Sequence, residues 1–293
     1  MQRSIFCMAS LLSAVGVSAC AVAGDKTDQA QTRSYSYDVS DQCYYTSACY
    51  TVQVGSPEID PSRLKPYHAF WTQDVPKDGG WVRVPATFEE TLAIDEDGNW
   101  KHTQIIRPGD GSANIGTRIL DRSTLQILSL TLSFENGPPQ QPAKVVYDMT
   151  GNSFAANVSF ADGRTTTGQS RDLAMPMFDG QIGGLILSAL PLRGGYVATL
   201  PMVIPNLGIY WIEASVVGKK RISTADGASV EVWEVNANWL NLTDGDVYPP
   251  GRDGSGGVYY IATSPTDGMP AVIEYVNDGG IIAWDGVRLK NNE

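Results

Sequence analysis

The side chains in this chain suited to chemistry are few and scattered. The only two histidines are His68 and His102, and neither sits in a metal-protease motif. His102 lies in the stretch 100–106, downstream of Asp95 and Asp97. An imidazole beside a carboxylate is the makings of a general base, but in this polar segment His102 reads as an ordinary surface histidine. Glu89 and Asp95 offer the residue types of a glycan-hydrolysing carboxylate pair. The run Asp95-Glu96-Asp97-Gly98-Asn99 has the composition of a calcium loop without its alternating aspartates and closing glutamate, so it is read as a hairpin turn. Asp244, Asp246 and Asp253 share one glycine-rich loop that would hold a cation only weakly. There is no nucleophile elbow, no phosphate-cradling loop and no strand-linked dinucleotide fingerprint. Gly180, Gly183 and Gly184 open a helical stretch without a βαβ context, which fits close packing of helix on sheet. No catalytic residue, no metal and no cofactor is expected.

Cysteine chemistry says more. Arg3 precedes an apolar run from Ile5 to Val17 that ends in Val17-Ser18-Ala19-Cys20. A charged start, a stretch too short to span a bilayer and small residues at its end describe a cleaved secretory signal over residues 1–19. The ending resembles a bacterial lipobox, which makes Cys20 the lipidation site; Ala21-Val22-Ala23 before Gly24 is the competing, ordinary cleavage pattern. Each buried methylene contributes ~0.8 kcal/mol to membrane affinity, so a diacylated Cys20 would anchor the chain durably. Ala21 after that cysteine favours the outer membrane. In the oxidising periplasm Cys43 and Cys49 are expected to pair, a short loop closure worth roughly 2 kcal/mol. The net charge of -11 repels phosphate backbones, so nucleic acid is not an expected partner.

The elements that must position any site are strands. Residues 20–60 read as a tether with the Cys43–Cys49 stapled segment, and 61–293 as a single antiparallel β domain. Asp97-Gly98, Asn136-Gly137, Gly151-Asn152, Asp162-Gly163, Asp226-Gly227 and Asp278-Gly279 supply hairpin turns. Between them strands are predicted at 81–94, 100–106, 116–121, 125–134, 143–149, 153–160, 164–169, 196–203, 209–217, 219–224, 229–240, 257–262, 271–277 and 280–285. Lys219-Lys220-Arg221 reads as a solvated hairpin. From Asp179, a suitable N-cap, to Leu190, apolar residues recur at helical spacing until Pro191. The fold class is therefore mainly β: a large curved antiparallel sheet, a half-barrel or open barrel, with one helix across its concave face.

The segments TRILDRSTLQILSL, FDGQIGGLILSALPLRGGYVATLP and VGKKRISTADGASVEVWEVNA, taken in that order, resemble a β-rich family of bacterial envelope proteins of largely unassigned function. That family is similar in turn to the half-barrels of outer-membrane lipoprotein carriers. The resemblance implies an apolar cavity and a lipid or other apolar ligand, bound without catalysis. Its lining would come from Ile182, Leu185, Ile186, Leu190, Val197, Leu200, Val203, Trp211 and Trp233. Two readings compete: an interaction or scaffold lipoprotein with a packed core, and a glycan-binding or glycan-hydrolysing protein.

Overall fold

The computed structural model describes residues 51–138, 140–149, 153–173, 175–204, 208–223, 229–241, 256–277 and 279–285. Cys20, Cys43, Cys49 and the aspartates 244, 246 and 253 lie outside them.

Among the described residues sixteen strands form one sheet. In chain order they are β1 Tyr67–Lys77, β2 Gly80–Arg83, β3 Thr87–Ile94, β4 Trp100–Arg107, β5 Ala113–Leu120, β6 Ile127–Glu135, β7 Pro142–Asp148 and β8 Ser153–Phe160. There follow β9 Thr165–Asp172, β10 Phe178–Asp179, β11 Val197–Ile204, β12 Gly208–Ser223, β13 Ser229–Asn241, β14 Gly256–Ala262, β15 Val272–Asn277 and β16 Gly280–Trp284. The spatial order is β10 through β16, then β1, then β3 through β9, with β2 paired only to β1. All pairings are antiparallel hairpins of consecutive strands except β10 with β11, which is parallel, β1 with β3, which skips β2, and the seam of β1 with β16, where Trp71 faces Trp284. The two outermost strands, β9 and β10, are consecutive in the chain, so the sheet must roll to bring its edges together.

Asp97-Gly98, Asn136-Gly137 and Asp162-Gly163 each fall between two consecutive strands, while Gly151-Asn152, Asp226-Gly227 and Asp278 lie outside the described residues. In the β3–β4 turn the Asp95 carboxylate accepts the amides of Asp97 and Asn99, and Gly98 takes φ 84°. Alternation sorts the faces. Along β6, Leu130, Leu132 and Phe134 are buried while Ser129, Thr131 and Ser133 are half-buried. Thr91, Thr103, Thr117 and Thr131 stand opposite one another on the outer face of four adjacent strands. Such cross-strand pairs contribute roughly 0.2–1 kcal/mol each.

Three expectations are corrected. β1 was not expected at all. The predicted strand 81–94 is two strands, because Pro85 has no N–H to donate and the chain steps out of the ladder there. The predicted strands 209–217 and 219–224 are one, β12, continuous through a bulge between Val216 and Gly218. The basic cluster consequently lies within a strand, where Lys219 Nζ pairs with Glu231 Oε2 at 2.8 Å and Lys220 pairs with Glu234.

The expected helix exists in shorter form, as a 3-10 turn Gly180–Ile182 followed by α1 Gly183–Ser188. Asp179 caps it, accepting the Gln181 amide at 2.8 Å. Its other end is tied by the segment before β1: the Asp60 amide donates to the Ala189 carbonyl at 2.9 Å and Arg63 Nε to the Ser188 carbonyl at 3.1 Å. These bonds satisfy carbonyls that a helix end leaves without partners.

Candidate functional site

The residues expected to line an apolar cavity are partly gathered. Ile182, Leu185, Ile186, Leu190, Leu200 and Val203 are buried in one continuous core cluster, and Trp233 packs against it. Val197 is only half-buried. Trp211 is buried but lies outside that cluster; it faces Pro201 across the ladder, one step off the core residue Ile212. The helix sits directly on the sheet. A Cβ added at Gly180 would stand 2.6 Å from Ile204, at Gly183 2.9 Å from Ile212, and at Gly184 2.8 Å from Tyr259. Between helix and sheet at these points there is no room for a methyl group, and so none for an acyl chain.

Polar side chains also enter the interior, which sequence reasoning missed. His102 is fully buried rather than a surface residue, because its place in β4 faces inward beside Trp100 and Gln104. Its Nε2 lies 2.9 Å from Glu90 Oε1, and that carboxylate also accepts bonds from the Tyr67 hydroxyl and, at 3.4 Å, from Gln104 Nε2. Gln104 Oε1 in turn accepts from Arg118 at 3.3 Å. Arg118 Nε reaches Asp179 Oδ2 at 2.5 Å, and its other arm meets Gln181. One chain of polar contacts thus runs from β1 through β3, β4 and β5 to the N-terminal end of the helix.

Arg118 and Asp179 are both wholly shielded from solvent, and their bond crosses from β5 to the opposite end of the sheet order. This ion pair joins β5 to the residue that caps the helix, and removing either partner would leave a buried charge uncompensated. Burial raises the Glu90 carboxyl, but the pull and hydrogen bond of His102, with the bonds from Tyr67 and Gln104, outweigh it and hold Glu90 below its ordinary value. Burial next to Glu90 raises the Tyr67 hydroxyl well above its own. The inward Arg118 carries no sequence signal of its own; only its register opposite His102 reveals it.

On the outer face Glu234, Tyr260 and Glu274 stand in one cross-strand row. Glu274 is buried, its Oε2 has no hydrogen-bond partner, and desolvation raises its pKa to about 7. A small apolar cluster of Val232, Ala262 and Ile273 covers this face of the sheet. The carboxylate pair Glu89 and Asp95 does not form a site: six residues along one strand separate the two by about 20 Å, beyond either glycosidase spacing. Asp95 is engaged by backbone amides and Glu89 by His68 and Arg107. Among the described residues no group of three or more His, Cys, Asp or Glu is placed to hold a metal ion.

An open concavity lies elsewhere, where Pro85 parts β2 from β3. A groove of about 360 Å³ is lined there by Phe70, Thr72, Arg83, Pro85, Phe88 and Asp285, among others. Phe70 is 50% exposed on its floor. Around it stand two sets of ion pairs. Asp74 takes both Nε and Nη2 of Arg83, at 2.6 and 3.1 Å. Glu89, directly opposite Phe70 in the ladder, bonds His68 at 2.9 Å and Arg107 at 3.1 Å. Those two bonds lower the Glu89 pKa. The His68 ring leans on Phe70 with centroids 5.0 Å apart.

No known family profile and no curated protein matches this chain. Solved structures similar to it include the following two. A β-barrel-like protein of the domain of unknown function DUF1849 from Brucella abortus shares 8% identity, over 77% of this chain and 97% of that one, with a TM-score of 0.48. The MucA/MucB complex of Pseudomonas aeruginosa shares 12% identity, over 79% and 92%, with a TM-score of 0.18. The first is a β-barrel-like protein of unassigned function.

Proposed function

We propose that this chain is an exported, non-catalytic protein of the cell envelope, lipidated at Cys20 and held at the outer membrane, that acts by binding a partner on its outer surface. The observation that carries this reading is the seating of the helix: at Gly180, Gly183 and Gly184 its backbone rests on the side chains of β11, β12 and β14. The helix plugs the concave face instead of roofing a cavity, which favours a packed-core binding protein over a lipid carrier. The signal-like segment with Arg3 and Val17-Ser18-Ala19-Cys20 supports export and anchoring. The scatter of Glu89, Asp95 and His102 across separate environments supports a role without chemistry.

Native mass spectrometry with lipid extraction on protein purified from expressing cells tests the binding mode. The expected result is the mass of the chain with its covalent Cys20 lipid and nothing more, unchanged by added fatty acid or phospholipid. A further, extractable lipid at unit stoichiometry would overturn it and restore the carrier. Labelled palmitate incorporated by the native chain and absent from Cys20→Ala tests the anchor.

A further inference from the structure

We propose that the groove between β1, β2 and β3 is a binding site for a neutral oligosaccharide, with Phe70 as its stacking platform; this rests on the outer-surface reading above and gives it a ligand class. A half-exposed phenylalanine in a recess is costly to leave in water and is the sort of apolar body that a ligand's flat apolar face would cover. The face of a pyranose ring, made of C–H groups, is such a surface, and its edge is a ring of hydroxyls.

The rim matches that edge. Of the charged residues that line the groove, Arg83 is paired with Asp74, and Asp285 sits beside Phe70, its backbone N–H donating to the Phe70 carbonyl at 2.8 Å; next to Phe70 in the ladder Glu89 is paired with Arg107. Two guanidiniums against three carboxylates leave a small negative excess, which disfavours a lipid phosphate or nucleic acid and gives only a weak pull on a basic peptide. The rim does offer fixed carboxylate acceptors and guanidinium donors within reach of one aromatic floor, which complements hydroxyls that both donate and accept. The bidentate Arg83–Asp74 pair holds its groups rigid, so a ligand need not order them. The volume of about 360 Å³ falls within the range of small-ligand sites and accommodates part of a chain whose remaining units extend along the sheet.

The test is titration of the full-length chain with cellohexaose and with the hexamer of β-1,4-linked N-acetylglucosamine, followed by calorimetry and by saturation-transfer NMR. Saturable binding of at least one is expected, weakened about tenfold or more by Phe70→Ala, which amounts to about 1.4 kcal/mol, and more mildly by Arg83→Ala. Phe70 is exposed, so the melting temperature of Phe70→Ala is expected to equal that of the native chain; a circular dichroism melt checks this. Failure of both sugars to bind at millimolar concentration, or binding that Phe70→Ala leaves intact, would overturn the proposal. Dodecyl phosphocholine is run in parallel: if it binds in place of sugar and Phe70→Ala abolishes that, the glycan class is wrong while the outer-surface reading survives. A lipid retained inside the native protein would defeat that reading instead.

Discussion

Glu90 and Glu274 pull the pH dependence of stability in opposite directions. Glu90 titrates below its ordinary value of 4.5 in the folded chain, so its contribution is present above that value and is lost as pH falls through the folded pKa. Glu274, raised from 4.5 to about 7, keeps its proton in the fold after the unfolded chain has released it. The fold is therefore penalised increasingly as pH rises from 4.5 to 7, and fully above 7. At about 1.4 kcal/mol per pKa unit the limit is on the order of 3 kcal/mol, and about 2 after screening at the sheet surface. Urea unfolding should accordingly show a maximum in stability between these limbs. Glu274→Gln is expected to match the native chain at pH 4 and exceed it at pH 8; a variant with an unaltered alkaline limb would mean that the carboxyl is ionised and solvated. Glu90→Gln is expected to flatten the acid limb. None of this was legible in the sequence, where Glu90 and Glu274 are two acids among many. Their properties come from register, which sets Glu90 opposite Gln104 and Glu274 opposite Tyr260.

At the scale of elements the short helix and its ties decide whether the sheet stays rolled. Gly184→Ala places a methyl 2.8 Å from a buried tyrosine ring and is expected to cost about 1–3 kcal/mol in a urea titration. A neutral result would mean that space exists beneath the helix after all. Arg118→Ala leaves Asp179 buried without its partner and should cost about 3–5 kcal/mol, whereas Arg118→Met with Asp179→Leu should recover most of the loss. If the double variant is as unstable as the single one, the loss comes from the ion pair itself and not from a buried charge left without its partner. The sequence was a good guide at this scale wherever a turn dipeptide bounded a strand, as for β4, β8 and β13, and the Asp179 cap was visible from its residue type alone. It failed for β1, whose Gln73, Asp74 and Pro76 mask a strand that survives by pairing on both sides. It failed for His102 and Arg118 because charged side chains read as outward until the pairing partner is known. The groove at Phe70 was hidden for the same reason: it exists only where β3 returns to β1 after Pro85.

For the whole molecule the topology is a pair of meanders leaving a common seam. One runs from β1 to β9 and the other backward from β16 to β10, and the β1–β16 ladder welds them. Removing residues from 278 onward should expose the edges of β1 and β15 together. Open edges of that length invite pairing between molecules, so the truncated chain is expected to elute as oligomers or precipitate where the native chain does not. A truncated chain that stays monomeric and melts as the native one does would show that the seam contributes little.

The seam also sets a clock. β1 ends at Lys77 and its partner begins at Gly280. At roughly 5–20 residues per second of synthesis, β1 waits on the order of 10–40 s for the strand that completes the sheet. Until β16 has been made the roll cannot close, so for that interval β1 must stay soluble with one edge unpaired.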